Sequence, residues 1–266
     1  MGDICYAPLI DDMTWSYSRV KSFEDCPYKW YLRYICGLPG KQMFFASYGT
    51  FLHKLLASFH SGEASADTLT DIYLRDFRQE VRGNAPGAKV FTGYFQSGLT
   101  AVQNMRRFPL HTLGVEQKVK FSVGGYPFVG YIDYLGEDHG GITLIDHKSR
   151  ALKHRSFRDK PTRSDRELDE YLRQLYVYSL AVEALYGARP TSLCFNCFRT
   201  HTFILESFCD QAFAASQEWL LSRIQAIRNA SGFPPSMEFF KCNYLCEMQD
   251  HCEYYGTAMS KTQETQ

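Results

Sequence analysis

No stretch of eighteen consecutive apolar residues occurs in the chain, so no membrane-spanning helix is expected. Excess charge of either sign is also missing. The 29 Lys and Arg balance 29 Asp and Glu over 266 residues, which argues against a generic polyanion binder. No internal repeat is visible. The opening residues MGDICYAPLIDDMTW lack the basic segment followed by an apolar one that marks a secretory signal. Tyr6 stands where myristoylation of Gly2 would want Ser or Thr. A cytoplasmic protein is therefore expected. What the chain does have is 45% hydrophobic and 15% aromatic residues, enough for one packed domain spanning 1–266. It also has nine cysteines, which in a reducing compartment read as metal ligands or small buried hydrophobes rather than disulfides.

The most informative segment is FVGYIDYLGEDHGGITLIDHKS, residues 128–149. Two β-branched and aromatic runs, 128–135 and 142–148, flank a turn-rich stretch with the Gly and Asp that tight turns need. A turn centred on His139 and Gly140 pairs the runs antiparallel and sets Asp133 across from Asp146. Like charges so placed repel, so the pair demands a cation, and a divalent metal accepts carboxylate oxygens. Lys148, two residues beyond Asp146, points to the same strand face. Two carboxylates and an ammonium form a site suited to phosphodiester hydrolysis. Removing Asp146 should relieve repulsion and leave the metal-free fold as stable as before, or more so.

Elsewhere, 18–35 reads as two short helices meeting at Cys26, because the residue before Pro27 resists helical torsions. Residues 44–60 form a strong amphipathic helix. The segment 61–110 is a helical insertion broken at 83–87. Strands follow at 115–123, 128–135 and 142–148, then a polar, basic and mobile loop over 150–165. A helix over 168–186 stops at Gly187, strands cover 191–199 and 202–208, and a helix over 210–229 is capped by Asp210. The sheet-bearing core would span 111–230, between segments 1–42 and 231–266. The order implies an α/β fold with a mixed central sheet flanked by helices.

In chain order the chemistry-bearing residues are His53 on the first long helix, Glu116 opening the first strand, Asp133, then Asp146, His147 and Lys148. Gln174 and Tyr178 follow, one turn apart on a helix face. The motifs GTFLH (49–53), GYID (130–133), DHK (146–148) and QLYVY (174–178) resemble the PD-(D/E)XK nuclease superfamily, and its RecB-like branch in particular. The resemblance implies magnesium or manganese held by His53, Asp133, Asp146 and the His147 carbonyl, polarising a phosphate and activating a water. It implies that Lys148 orients that water, with Gln174 and Tyr178 holding the DNA backbone or the lysine. Glu116 either joins the site or pairs with Lys118 or Lys120.

Cys242, Cys246 and Cys252 lie within eleven residues and lack a fourth partner. In RecB-like nucleases with iron–sulfur clusters, such as the AddB C-terminal nuclease domain and the CRISPR-associated exonucleases, one N-terminal cysteine supplies it. Cys26, in CPYKWYLRY, is the matching position. The resemblance thus implies a [4Fe–4S] cluster stapling the chain ends, with tetrahedral zinc as the alternative. Cys194 and Cys197 lie in a strand and read as buried small residues, as do Cys5, Cys36 and Cys209.

From Lys148 to Arg166 eight Lys and Arg face two Asp. Arg150, Lys153, Arg155, Arg158 and Lys160 could neutralise DNA phosphates, or simply solvate a loop. Phe157 and the aromatics of 28–34 are candidate base-stacking residues. The resemblance implies a DNA exonuclease preferring single strands, in CRISPR adaptation, recombination or phage DNA processing, with an integrase, helicase or recombination partner. The alternatives are a non-catalytic DNA-end-binding or assembly subunit and, more remotely, an RNase.

Overall fold

The computed structural model describes residues 6–256, so Cys5 lies outside the described residues. Helix α1 (Ala7–Asp11) leads to α2 (Tyr17–Asp25), which ends at Cys26. Cys26 is extended, and Pro27 opens α3 (Pro27–Trp30), which runs on into one π-type turn. The expected break is present. Helices α4 (Phe44–Ser61), α5 (Ala66–Glu80) and α6 (Ala88–Gln103) follow. Strands β1 (His111–Val123), β2 (Tyr126–Asp138) and β3 (Gly141–His147) form an antiparallel meander. Helix α7 (Arg163–Tyr186) crosses over to β4 (Ser192–Cys197), which pairs parallel to β3. Strand β5 (Thr202–Ser207), α8 (Asp210–Arg228) and the short α9 (Phe239–Tyr244) complete the order.

The result is a mixed five-stranded sheet in the order β1-β2-β3-β4-β5 with helices on both faces. One face packs on α7, whose Leu172, Leu175, Val177 and Val182 join Trp15, Trp30, Phe128 and Phe195 in the larger core. A second apolar cluster ties α4 to α5 and α6 through Tyr48, Leu52, Leu55, Tyr73 and Phe77. The hairpin behaves as the turn residues require. Asp138 pairs with Gly141, leaving His139 and Gly140 at the turn, and Gly141 takes a φ of +110° that a side chain would strain.

Several local expectations change. β1 begins at His111, four residues early, so Glu116 lies within the strand rather than at its start. Helix α7 begins at Arg163 because Thr162 and Asp165 form a reciprocal capping box ahead of the apolar stripe. Cys209, not Asp210, is the N-cap of α8, and Asp210 accepts from Arg189 instead. The 150–162 segment lacks regular structure but is anchored, with Leu152 buried and the Ser156 backbone and hydroxyl both donating to Asp165. Cys194 and Cys197 are buried as expected, whereas Cys36 and Cys209 are exposed.

Candidate active site

The sheet register builds the site. Tyr134 pairs with Ile145, so the next position sets Asp133 opposite Asp146. On the other side, Val115 pairs with Tyr134 and Gln117 with Ile132, bracketing Glu116 opposite Asp133. Three carboxylates therefore lie in a row across three strands. Glu116 has a φ of +46°, a left-handed conformation costing on the order of 1–3 kcal/mol for a residue with a side chain. Such strain concentrates where a side chain must be aimed.

Two of the protein's own cations offset most of the row's charge. Helix α4 brings His53 over the sheet, with Nδ1 at 3.6 Å from Asp133 Oδ1 and 3.7 Å from Glu116 Oε1. Its Nε2 lies 3.0 Å from the His147 carbonyl oxygen. Burial alone would lower the His53 pKa, but the Asp133 and Glu116 carboxylates outweigh it and lift it to about 10. Asp133 also accepts the His147 backbone N–H at 2.7 Å. Despite burial, His53 and that N–H hold its carboxyl below the usual range. Asp146 is buried, and burial raises its pKa against the pull of Lys148, whose Nζ stands 2.8 Å from Oδ2. Each aspartate thus has one protein cation beside it, His53 for Asp133 and Lys148 for Asp146, while Glu116 leaves one further negative charge in the row.

Lys148 is fixed from three sides. Its Nζ lies 3.5 Å from Gln174 Oε1 and sits over the rings of Tyr171 and Phe195 at 5.1 and 5.7 Å. The ring of His147 points away from the cleft, where burial pushes its pKa down to about 3 and leaves it neutral. Its Nδ1 then accepts from the Asn196 amide at 3.1 Å. Tyr178 does not line the cavity of the cleft, but its hydroxyl lies beside Gln174, where the Asp146 and Asp133 carboxylates act on it. Its ring is buried against Gly130, where a Cβ would stand 2.7 Å from the tyrosine ring. The glycine of GYID and the tyrosine of QLYVY are therefore two sides of one contact, which sets the Tyr178 hydroxyl behind Gln174.

A cavity of about 650 Å³ opens on His53, Asp133, Asp146, Lys148, Arg150 and Gln174. Sequence reasoning missed Tyr171, Phe45, Tyr94 and Phe240, which line the same cavity. Only Tyr171 carried a signal, one turn before Gln174 on the same helix face. Among the basic loop residues, Arg150 reaches the cleft, bonded to Glu167 and Tyr171. Arg155 is occupied by Asp169 and Glu206. Lys153, Arg158 and Lys160 are exposed away from the cavity. The aromatics of 28–34 pack elsewhere, Trp30 in the core and Tyr31 on Phe233.

A divalent ion fits the donor set. His53, Glu116 and Asp133 bring three ligand atoms within 4.8 Å of one another. Asp146 Oδ2 is buried and, apart from its ion pair, has no hydrogen-bond partner. The His147 carbonyl oxygen, 3.0 Å from His53 Nε2, adds a further oxygen beside this group that could serve a hard cation. Of the two readings of Glu116, the geometry brings it into this group rather than to Lys118 or Lys120. Cys26, Cys242, Cys246 and Cys252 converge on a separate cavity lined also by Lys29, Leu32 and Met248.

Comparison with known proteins agrees with this geometry. No curated protein sequence matches the chain. Among solved structures, the crystal structure of a "Putative exonuclease" from Eubacterium rectale has a similar fold. Its TM-score is 0.52 at 13% identity, covering 94% of this chain and 92% of that one. A model of the PD-(D/E)XK nuclease superfamily matches residues 14–253, which contain every residue of the cleft. The chain belongs to the PD-(D/E)XK nuclease superfamily.

Proposed function

We propose that the chain is a divalent-metal-dependent deoxyribonuclease of RecB-like type that degrades DNA from its ends. The observation that carries this reading is the convergence of Asp133, Asp146, Lys148 and His53 in one open cleft. Asp133, Asp146, His53 and the His147 carbonyl, with Glu116 beside them, would hold magnesium or manganese. Such an ion supplies Lewis-acid polarisation of the phosphate and a lowered pKa for its water. Lys148, held by Asp146 and Gln174, is placed to orient a nucleophilic water and to stabilise charge developing on the phosphate. His53 must release a proton before its imidazole can act as a ligand, since the site keeps it charged. The E. rectale neighbour is itself described as an exonuclease, which favours end-directed over internal cleavage.

The domain reading follows the same frame, with one nuclease domain over 1–266, a helical insertion over 61–110 and cysteine-bearing segments at 1–42 and 231–266. The four clustered thiols are read as ligands of a [4Fe–4S] cluster. The Lys29 and Ser236 backbone N–H groups both donate to Cys26 Sγ, as suits a thiolate. The resemblance to cluster-bearing RecB-like nucleases favours iron–sulfur, with tetrahedral zinc as the alternative occupant of four thiolates. The settings we assign are CRISPR adaptation, recombination or phage DNA processing, with an integrase, helicase or recombination protein as partner.

The test is incubation of anaerobically purified protein with end-labelled single- and double-stranded DNA, with manganese or magnesium and with chelator as control. Progressive shortening from an end that stops with chelator is expected. Binding without cutting under either ion would replace this reading with that of an assembly subunit.

A further inference from the structure

Three aromatic side chains from distant parts of the chain meet on one wall of the cleft. Phe45 lies on the first turn of α4, Tyr94 within α6, and Phe240 on α9 in the cysteine segment. The ring centroids of Phe45 and Tyr94 are 5.2 Å apart, and those of Phe45 and Phe240 are 6.0 Å apart. These rings and Leu245 line the same cavity as Asp133, Asp146, Lys148 and Gln174. One cleft therefore joins a charged floor to an uncharged aromatic wall.

Phe45 and Tyr94 are half-buried on the α4–α6 cluster, whereas Phe240 lies outside it and is open. Helix α9 buries none of its residues, and Phe240 is 46% exposed, with Phe239 and Leu245 nearly as open. A six-residue helix has little stability of its own, so its position depends on its surroundings. Cys242 lies two residues beyond Phe240 and Cys246 one beyond Leu245, so the thiol cluster anchors the exposed rings from behind. Tyr94 is backed by the Arg199 guanidinium, 3.9 Å from its ring centroid.

The occupant follows from the floor. A group seated on this wall must be continuous with a phosphodiester held between Lys148 and the aspartates. In a duplex the base faces are stacked inside, and only phosphates and base edges are on offer. An unpaired base presents a free π-face, and stacking on an aromatic side chain tolerates any sequence. We propose that Phe45, Tyr94 and Phe240 form a stacking subsite for unpaired bases of single-stranded DNA, beside the scissile phosphate. The proposal rests on the nuclease reading above and deepens it by assigning the preference for single strands to particular rings. It also gives the cysteine segment a part in the substrate site, because that segment carries Phe240 and Leu245.

The experiment measures fluorescence anisotropy without added divalent metal, so that no strand is cut. The probes are a labelled oligothymidylate, the same oligomer with abasic positions, and a blunt duplex. Phe240→Ala and Phe45→Leu should each weaken oligothymidylate binding roughly tenfold, within the range of about 5- to 150-fold found per stacked base. Phe240→Trp should retain wild-type affinity. The abasic oligomer and the duplex should bind wild type and variants alike, and unchanged melting temperatures would show that the variants fold. Variants that bind all three probes as wild type does, or lose all three equally, would overturn the subsite. If wild type still cuts DNA with manganese in that case, the nuclease reading stands alone. A wild-type protein that binds none of the probes and cuts none overturns both.

Discussion

Asp146 and Lys148 are each other's closest counter-charge at the floor of the cleft, so removing both should cost no more than removing either. Asp146 is 7% exposed, and Lys148 Nζ lies 2.8 Å from its Oδ2. Sequence reasoning alone predicted that deleting Asp146 would relieve repulsion from Asp133 at no cost. The structure reverses that, since Asp133 has its own partner in His53 and Asp146 has Lys148. Breaking a buried pair by removing one partner typically costs about 3–5 kcal/mol, because the other charge stays buried and uncompensated. Gln174 at 3.5 Å gives Lys148 some relief, so the low end applies. We expect Asp146→Asn and Lys148→Met each to lose about 3 kcal/mol, a fall in melting temperature of roughly 6–12 °C for a chain of this size. The double variant should lose no more than either single, a coupling of about 3 kcal/mol. Denaturant unfolding in chelator at neutral pH, followed by circular dichroism, reads all three. Additivity within about 0.5 kcal/mol, or a more stable Asp146→Asn, would refute the internal neutralisation of the site.

Three other outcomes follow from the same coordinates. Burial holds His60 at a pKa of about 4 and His147 at about 3, so the unfolded chain binds more protons and stability should be lost as pH falls from about 6.5 toward 4. His53, lifted to about 10, works in the opposite sense: its contribution is present below about 6.5 and lost as pH rises toward 10. Melting temperature in chelator should therefore peak near neutrality, and a continuous rise to pH 10 would contradict the charged His53. Anaerobically purified protein should be brown and contain iron and sulfide, and Cys26→Ala, Cys242→Ala, Cys246→Ala or Cys252→Ala should each abolish the colour while Cys194→Ala keeps it. Colourless protein with one equivalent of zinc would reject the iron–sulfur assignment. In the loop, Arg158→Glu with Lys160→Glu should flatten the salt dependence of DNA binding equally for all sequences, because fewer counterions are released. Arg155 is a poor probe, since its guanidinium already serves Asp169 and Glu206; an unchanged slope would make the loop's charge incidental.

The hairpin was legible because its information is local. Turn residues at 136–141 and alternation on either side determine the register, and register alone sets Asp133 against Asp146. His53 and Gln174 were legible because helix periodicity shows which face of α4 and α7 turns to the sheet. What failed depended on contacts between distant segments. The positive φ of Glu116 leaves no mark in its own residue type, so the sequence left its site role and a pairing with Lys118 or Lys120 both open. The spacing of Tyr178 to Gln174 was legible, but the gap at Gly130 under β2 that its ring fills was not. Phe45, Tyr94 and Phe240 are far apart in sequence, and each alone reads as ordinary core. The stacking role was instead sought at 28–34, whose aromatics pack around Phe233.

The most direct measurement is the rate at which manganese-loaded wild type, Asp133→Asn, Asp146→Asn and Lys148→Ala shorten end-labelled single-stranded DNA, with oligonucleotide affinity determined in parallel. Asp133, Asp146 and Lys148 meet in one cleft, and the account assigns the chemical step to them. Each variant should lose cleavage by at least about 100-fold, the scale for removing one preorganised electrostatic group, while still binding the strand. Near-wild-type cleavage by all three would place the reaction outside this cleft and contradict the account.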